Sequence, residues 1–418
     1  FQGRVEETTF RKLGSKPKYD IYIDKNLVTW VDGKKFFPIG AYMNDLNQFD
    51  IDHFNDSPFN LMKVGGHSNK KALDDLYEKT HGKIRALNPM ANMYCGTNQT
   101  LKNNYLATMK ALIEDTQTSK GLFGHYITDE PGASCAPMMK EVTRMIREID
   151  RQHVSWPTIN LRFNYDIFKE GFDCVGIDDY PVQTFDSLQS IWVMVTQGRK
   201  KMMNSRAMWA VPQIFDWTVY NDSYNLDWSK EFPPTYDQLR NMVYQFIASG
   251  AMGVVYYDYT EMKVMDYKHP FEKEWTKVKD VTYELRDKFS DIILCVEDPI
   301  NTDYKIPVNL GLDFTNYVST RQWSCNGSDY ILVVNVRNVL YNYTFYKPNK
   351  SYCLEQLMGN GTATTINGTS ISLKMDRMDV FWFRGYKSKK SECDEIINLS
   401  STNGIYVLMA MALFMILL

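Results

Sequence analysis

The sequence predicts a (β/α)8 barrel followed by a small antiparallel β-sandwich. Three observations carry that expectation. From residue 36 onward, short apolar runs alternate with helical patterns, the rhythm of βα units around a parallel sheet. Eight such runs fall within about 225 residues, close to the roughly 250 that such a barrel takes. After residue 300 the helical periodicity gives way to strand-like runs and Asn-Gly turns. A doubly wound open sheet is the alternative, but no Gly-rich phosphate loop follows the first run.

The elements follow in order. Residues 1–35 form a lead-in, with alternating stretches at Tyr19–Asp24 and Leu27–Val31 before Asp32-Gly33, a strong two-residue hairpin turn. The barrel is expected over 36–295. Its strands are Phe36–Gly40, Asn60–Val64, Ile84–Asn88, Leu122–Thr128, Thr158–Leu161, Cys174–Asp178, Ala207–Ile214 and Gly253–Tyr257. The clearest helix is Tyr236–Ser249. Thr235 can cap it, Gln238 holds the reciprocal capping position, and Gly250 stops it. Leu239, Met242, Val243, Phe246 and Ile247 make its buried stripe. Another helix spans Ala136–Gln152, with Met139, Val142, Ile146 and Ile149 on one face. The sandwich is expected over 300–386, with strands at Tyr330–Val336, Tyr341–Tyr346, Ser370–Lys374 and Asp379–Arg384. Asn360-Gly361 and Asn367-Gly368 mark its turns.

Composition narrows the function. Hydrophobic residues make up 44% of the 418 and charged residues 23%, which excludes wholesale disorder. The net charge of −3 gives nucleic acid nothing to hold. Aromatics at 14% suit flat or sugar-like ligands and also fill cores.

Several features point to the cell surface. Asn-x-Ser/Thr triplets stand at Asn55, Asn98, Asn221, Asn326, Asn342, Asn349, Asn360, Asn367 and Asn398, roughly twice the number expected from ordinary residue usage. Their clustering from Asn326 to Asn398 marks a surface that tolerates glycans; Asn98, Asn326, Asn342, Asn349, Asn360 and Asn367 are the candidate glycosylation sites. Ile405–Leu418 is an uncharged apolar tail, short for a bilayer span. It follows a polar spacer, Lys387–Gly404, so residues 387–418 read as a GPI-anchor signal cleaved near Ser391–Asp394. Ser400-Ser401-Thr402 is a second possible attachment triplet. A short tail-anchor helix or a buried C-terminal helix would show the same apolar run. The chain opens on Phe1 without a signal peptide, and a missing N-terminus is expected. None of the seven cysteines forms a C-x-x-C pair, which argues against a zinc or iron–sulfur site. Disulfides are expected instead, Cys95–Cys135 and Cys325–Cys353 among them, with one thiol left over.

Barrel active sites lie where strands end and βα loops begin. Asp129-Glu130-Pro131 closes the fourth apolar run. Like charges there raise one pKa, as a general acid needs; the same pair could instead cap a helix. Asp178-Asp179-Tyr180-Pro181 closes the sixth run. Successive strand residues point opposite ways, so at most one of those carboxylates faces the mouth. Gln213-Ile-Phe-Asp216-Trp217 ends the seventh, where Gln213 could hydrogen-bond a ligand and Trp217 could stack on one. Tyr256-Tyr257-Asp258-Tyr259-Thr260-Glu261 ends the eighth, with aromatics for a wall and Asp258 or Glu261 as a second carboxylate. Packing of the core and rim would use both segments equally well. His67 and Asn160, with Arg162, are further candidates at strand ends, and His125 fits a buried strand position. The sequence holds no Gly-x-Ser-x-Gly elbow, Walker loop or His-Glu-x-x-His, which weighs against an esterase, an NTPase or a zinc protease.

These residues resemble the clan A glycoside hydrolases. Gly33-Lys-Lys-Phe-Phe-Pro-Ile-Gly40 looks like the entry to their first strand. His125-Tyr-Ile-Thr-Asp-Glu-Pro131 looks like their fourth-strand motif, which implies Glu130 as the acid/base. Trp209 through Gln213, Pro234 through Arg240 and Gly250 through Tyr257 are similar to the later strands. Two departures stand out. Asp129 replaces the usual Asn before the acid/base, and the seventh strand offers Gln213 and Asp216 in place of a Glu nucleophile. An amide cannot be that nucleophile. The resemblance, taken with the surface features above, leads to the expectation of a cell-surface glycosidase acting on oligo- or polysaccharide, needing no metal or organic cofactor. Glu130 would be its general acid, with the second carboxylate from Asp178, Asp179, Asp258 or Glu261. Tyr180, Gln213, Trp217, Tyr257, Asp258, Asn160 and His67 would bind the sugar. Two alternatives stay open: a non-catalytic carbohydrate-binding or adhesion protein on a decayed barrel, and a hexosaminidase in which Asp129 orients the substrate's own acetamide and Glu130 is the acid.

Overall fold

The computed structural model describes residues 21–44, 48–160, 165–182, 188–220, 231–296, 317–365, 368–387, Cys393 and 397–398. Arg162, Asn221, Asn367, the first 20 residues and the apolar tail lie outside them.

Eight parallel strands close into a barrel: Ile39–Met43, Leu61–Val64, Arg85–Pro89, Leu122–Asp129, Val154–Ile159, Cys174–Asp179, Ala207–Pro212 and Val254–Tyr256. They neighbour one another in chain order, and the eighth pairs back onto the first through Val255 and Gly40. Below the barrel, Ile21–Ile23, Thr29–Val31 and Lys34–Phe36 make a three-stranded antiparallel sheet. The turn joining the last two has φ of 50° at Asp32 and 77° at Gly33, the positive pair that a tight hairpin requires.

The barrel interior is packed with aromatics. Trp156 and Trp209 lie 5.9 Å apart, Phe123 sits 5.7 Å from Trp209, and Tyr126 sits 5.2 Å from Trp156. Such bulk needs small neighbours. A Cβ on Gly176 would stand 2.4 Å from Trp156 Cζ2, so only glycine fits there. A second apolar layer seals the outside of the barrel to its helices. Tyr236–Ser249 has the expected capping box at Thr235 and Gln238, and ends at Gly250 with φ of 108°.

The fifth strand departs from expectation, starting at Val154 and not at Thr158. Pro157 explains the difference. The ladder to the fourth strand jumps from Tyr126↔Trp156 to Asp129↔Thr158, and the proline, which has no N–H to donate, sits in that irregularity. The helix expected over Ala136–Gln152 ends at Ile149, because Asp150 leaves it to accept hydrogen bonds from His125 and His153.

After the barrel come two sheets. One orders Val318–Cys325, Ser328–Asn335, Val380–Lys387, Tyr352–Met358 and Ile397–Asn398, antiparallel except for the last pair; the other orders Tyr341–Tyr346, Ser370–Met375 and Thr362–Thr365. Ile331, Val333, Phe345, Leu373, Phe381 and Phe383 are buried together between them. Trp382 stacks on Phe289 from the barrel side at 4.3 Å.

Three disulfides form, Cys95–Cys135, Cys295–Cys325 and Cys353–Cys393, and Cys174 is a buried thiol. The pairing expected for Cys325 with Cys353 is corrected. Their strands stand three places apart in the sheet, about 14 Å at the usual strand spacing. A disulfide tolerates at most about 7 Å between Cα atoms. The three bridges fit an oxidising, extracellular compartment. Among the described residues no helix is long and apolar enough to cross a membrane. Asn98, Asn326, Asn342, Asn349 and Asn360 are exposed.

Candidate active site

At the carboxyl ends of the strands a cleft of about 210 Å³ is lined by Asp129, Glu130, Asn160, Asp178, Tyr180, Phe215, Trp217, Tyr220 and Tyr257. A larger cavity of about 630 Å³, near Tyr22, Arg147 and Arg206, opens at the opposite end. Barrel chemistry belongs to the first face.

Four strands supply the polar residues. The fourth ends in Asp129, and Glu130 follows with φ of 38°, a left-handed conformation that a non-glycine residue holds only under strain. Its backbone N–H donates to Thr158 O at 3.0 Å, and its Oε1 accepts from Asn160 Nδ2 at 2.8 Å. Asn160, just beyond the fifth strand, therefore holds Glu130 in place. From the sixth strand Asp178 points inward, only 2% exposed, with its carboxyl facing that of Glu130 within hydrogen-bonding reach. Asp179, next in the strand, points the other way and accepts from Ser190 in the helix behind. Strand alternation predicted that split.

Burial pushes the Asp178 carboxyl well above the usual carboxylate range, helped by the contact with Glu130 and by the charges of Glu130 and Asp129. Asp129 rises as well, through desolvation first and the neighbouring Glu130, with the Lys63 ammonium opposing. Lys63 stands on the second strand, its Nζ 4.9 Å above the Tyr42 ring and 4.8 Å above the Tyr126 ring. Its own pKa is lowered, mainly by desolvation.

The remaining walls are aromatic. Tyr180 stacks on Tyr257 at 5.1 Å, Trp217 meets Tyr180 edge-on at 6.4 Å, and the Tyr220 and Tyr257 hydroxyls lie 2.7 Å apart. Phe215 meets both Trp217 and Tyr257 edge-on.

Other expected residues are placed elsewhere. Gln213 is fully buried, and its amide is engaged with the backbone of Val182 and Phe215, so it presents nothing to a ligand. Asp216 accepts from Lys268 and His269 at 2.8 and 3.0 Å. Asp258 caps the helix Tyr259–Val264 through the N–H groups of Thr260 and Glu261, and burial lifts its pKa to about 7. Glu261 sits in that helix and does not line the cleft. His67 contacts Pro89 O at 3.0 Å. His125 is buried, as expected, against Asp150. Sequence reasoning missed Phe215, Tyr220 and Lys63. The aromatic spacing 215, 217, 220 just past a strand end was the available signal for two of them; nothing marked Lys63. Among the described residues no group of His, Cys, Asp and Glu is arranged to hold a metal.

The sequence matches no protein-family model and no curated protein. Solved structures do match. A glycoside hydrolase family 5 protein from Bacteroides vulgatus is 12% identical, with a TM-score of 0.54 over 89% of this chain and 94% of that one. A second glycoside hydrolase is 11% identical, with a TM-score of 0.51 over 90% and 98%. A β-galactosidase from Halorubrum lacusprofundi is looser, at 11% identity and a TM-score of 0.47, and this chain spans 58% of its length. The chain shares the barrel fold of glycoside hydrolases.

Proposed function

We propose that the protein hydrolyses O-glycosidic bonds of oligo- or polysaccharides, with Glu130 and Asp178 dividing the acid and base work. One observation carries the reading: two carboxyls from different strands face each other in an aromatic-walled cleft, one buried and one open. A carboxyl pair in such unequal surroundings keeps one proton between its members. Desolvation of the buried member favours the protonated form of Asp178. Asp178 then starts as the acid and Glu130 as base or nucleophile, the reverse of the role that the resemblance implies for Glu130. The two carboxyls stand close enough to interact directly, nearer to the roughly 5–5.5 Å that retention uses than to the roughly 6.5–9.5 Å that inversion needs. Retention fits better. A Glu130 oxygen bonds to the anomeric carbon, the bond to the leaving oxygen breaks, and that oxygen takes the Asp178 proton. Water then cleaves the glycosyl ester and returns a proton to Asp178. Turnover of a glycoside panel by wild type, Glu130→Gln and Asp178→Asn tests the assignment. Full activity of Glu130→Gln on every cleaved glycoside would sink it, and proton NMR of the first-formed anomer checks retention.

A second reading has its own support. The seventh strand delivers no carboxyl to the cleft, since Gln213 is engaged with backbone and Asp216 with Lys268 and His269. A sugar-binding or adhesion protein would need none. Glycan binding without turnover, retained in Glu130→Gln, would favour it. The adjacent Asp129 and Glu130 also keep the acetamide-assisted route open, which cleavage of N-acetylhexosaminides alone would mark. The three disulfides and exposed Asn-x-Ser/Thr sites support a secreted glycoprotein, and the polar spacer and apolar tail support a GPI anchor at the cell surface. Release of the protein from cells by a phosphatidylinositol-specific phospholipase tests the anchor.

A further inference from the structure

Glycoside hydrolysis needs two carboxyls, and this cleft has three, Asp129, Glu130 and Asp178, with no basic residue in its lining. Asp178 is 2% exposed, lines the cleft, and its Oδ1 has no hydrogen-bond partner. An unanswered buried carboxyl oxygen calls for a donor from whatever enters. The walls ask for the same kind of group. Tyr257, 5.1 Å from Tyr180, and Trp217, 6.4 Å from Tyr180, line the cleft with Tyr180 as a group of aromatic rings, and such rings attract cations. The fold already holds one ammonium in this manner: Lys63 Nζ sits over the Tyr42 and Tyr126 rings beneath the same mouth. An acidic sugar meets the opposite conditions, since its carboxylate would enter a cleft lined by three carboxyl groups and no basic residue.

We propose that the sugar this cleft takes is an amino sugar with a free, unacylated ammonium group, which donates to Asp178 Oδ1 and rests against the aromatic wall. The inference rests on the hydrolytic reading for its chemistry but concerns recognition. An acylated nitrogen is neutral and bulkier, so it loses both the charge and the fit.

The test uses 4-nitrophenyl glycosides of glucosamine, galactosamine, their N-acetyl forms, glucose, galactose and glucuronic acid. Calorimetric binding of glucosamine, N-acetylglucosamine and glucose to Glu130→Gln runs alongside. The expected result is a kcat/KM at least tenfold higher for a free-amine glycoside than for its neutral or acetylated counterpart, with the glucuronide slowest. In Asp178→Ala, which removes the acceptor oxygen and whose fold is checked by circular dichroism, the binding preference for amine over neutral sugar should fall to within about twofold. A neutral or N-acetyl glycoside cleaved as well as the amine overturns the amino-sugar proposal and leaves the hydrolase reading standing. No turnover, with glucosamine bound at least tenfold more tightly than glucose, keeps the proposal and removes the hydrolase reading. No turnover and no such preference overturns both. A preference unchanged in folded Asp178→Ala overturns the assignment of the ammonium to Asp178, and the proposal with it.

Discussion

Replacing Asp178 by Asn removes the proton that the proposed mechanism assigns to it, and the consequences follow from its surroundings. Two carboxylates in contact repel by about 4 kcal/mol at an effective dielectric of 20. The doubly ionised pair is thus disfavoured about a thousandfold, since each 1.36 kcal/mol is a factor of ten. Burial of Asp178 adds to this, which is why its carboxyl stays protonated above the usual range. On the proposed mechanism the active form has the proton on, so activity should be present at lower pH and be lost as pH rises through the Asp178 pKa. That loss is the alkaline limb of the wild-type profile. Asn at 178 keeps the shape and loses the donor. Removing a positioned general acid costs about 10²–10⁴ in rate. The expected outcome is a fall of that size in kcat/KM, with the alkaline limb absent from what remains. Combining it with Glu130→Gln should cost little more than either change alone, because the two act as a unit. The assay is initial rate against pH on the best glycoside, with circular dichroism to confirm folding. Activity within tenfold of wild type, or an unchanged alkaline limb, would refute the argument that Asp178 holds the catalytic proton.

Three further outcomes can be measured. Asp150→Asn should destabilise the protein by about 3 kcal/mol in urea titration, because the buried carboxylate accepts from His125 and His153 at 2.8 and 2.9 Å. In the wild type both His125, lowered by burial, and Asp150, lowered by its histidine partners against the effect of burial, favour the higher-pH forms. Their stabilisation is therefore complete above about pH 6.5 and is lost on acidification, first through His125 and then, below about pH 4, through Asp150; stability that rose on acidification would contradict this. Gly176→Ala should cost about 1–3 kcal/mol, since the added methyl meets the Trp156 ring, and an unchanged melting temperature would show that the barrel interior yields more easily than its packing implies. Asp179→Asn should lower stability by about 1 kcal/mol while leaving kcat intact, because its carboxylate serves Ser190 and not the cleft.

The barrel was legible because most of its strands are bounded apolar runs, and a run of that kind tells of burial whatever surrounds it. The interval between runs then fixed the order. The fifth strand starts before the expected Thr158 because a parallel ladder can skip one hydrogen bond at Pro157 and continue on both sides of it. Val318–Cys325 and Tyr352–Met358 were missed because they mix buried and polar residues without a clean alternation. At the site, strand parity correctly allowed only one of Asp178 and Asp179 to face the mouth. Parity could not say which one, since that depends on the register against Ala207–Pro212 in the closed sheet. Gln213 illustrates a different limit. Its position at a strand end invited a ligand role, but the chain after Tyr180 turns back so that the Val182 backbone reaches it first.

The two ends of the barrel use the same residue types for opposite purposes, and the difference lies in their partners. At the lower end the buried Asp150 is surrounded by hydrogen-bond donors, so its charge is satisfied and its carboxyl is held low. At the mouth the buried Asp178 meets another carboxyl, so its proton is retained. A fold selected only for stability would settle both in the first way, because an unpartnered buried oxygen costs about 1–3 kcal/mol. Glu130 adds a positive φ at the same place, a strain of similar size. Two separate costs meet within one cleft, on residues from different strands, while Asp179, Asp216 and Asp258 at other strand ends are each satisfied by an ordinary partner. That concentration of unrelieved electrostatics is what packing alone does not explain, and it is where a ligand would relieve it.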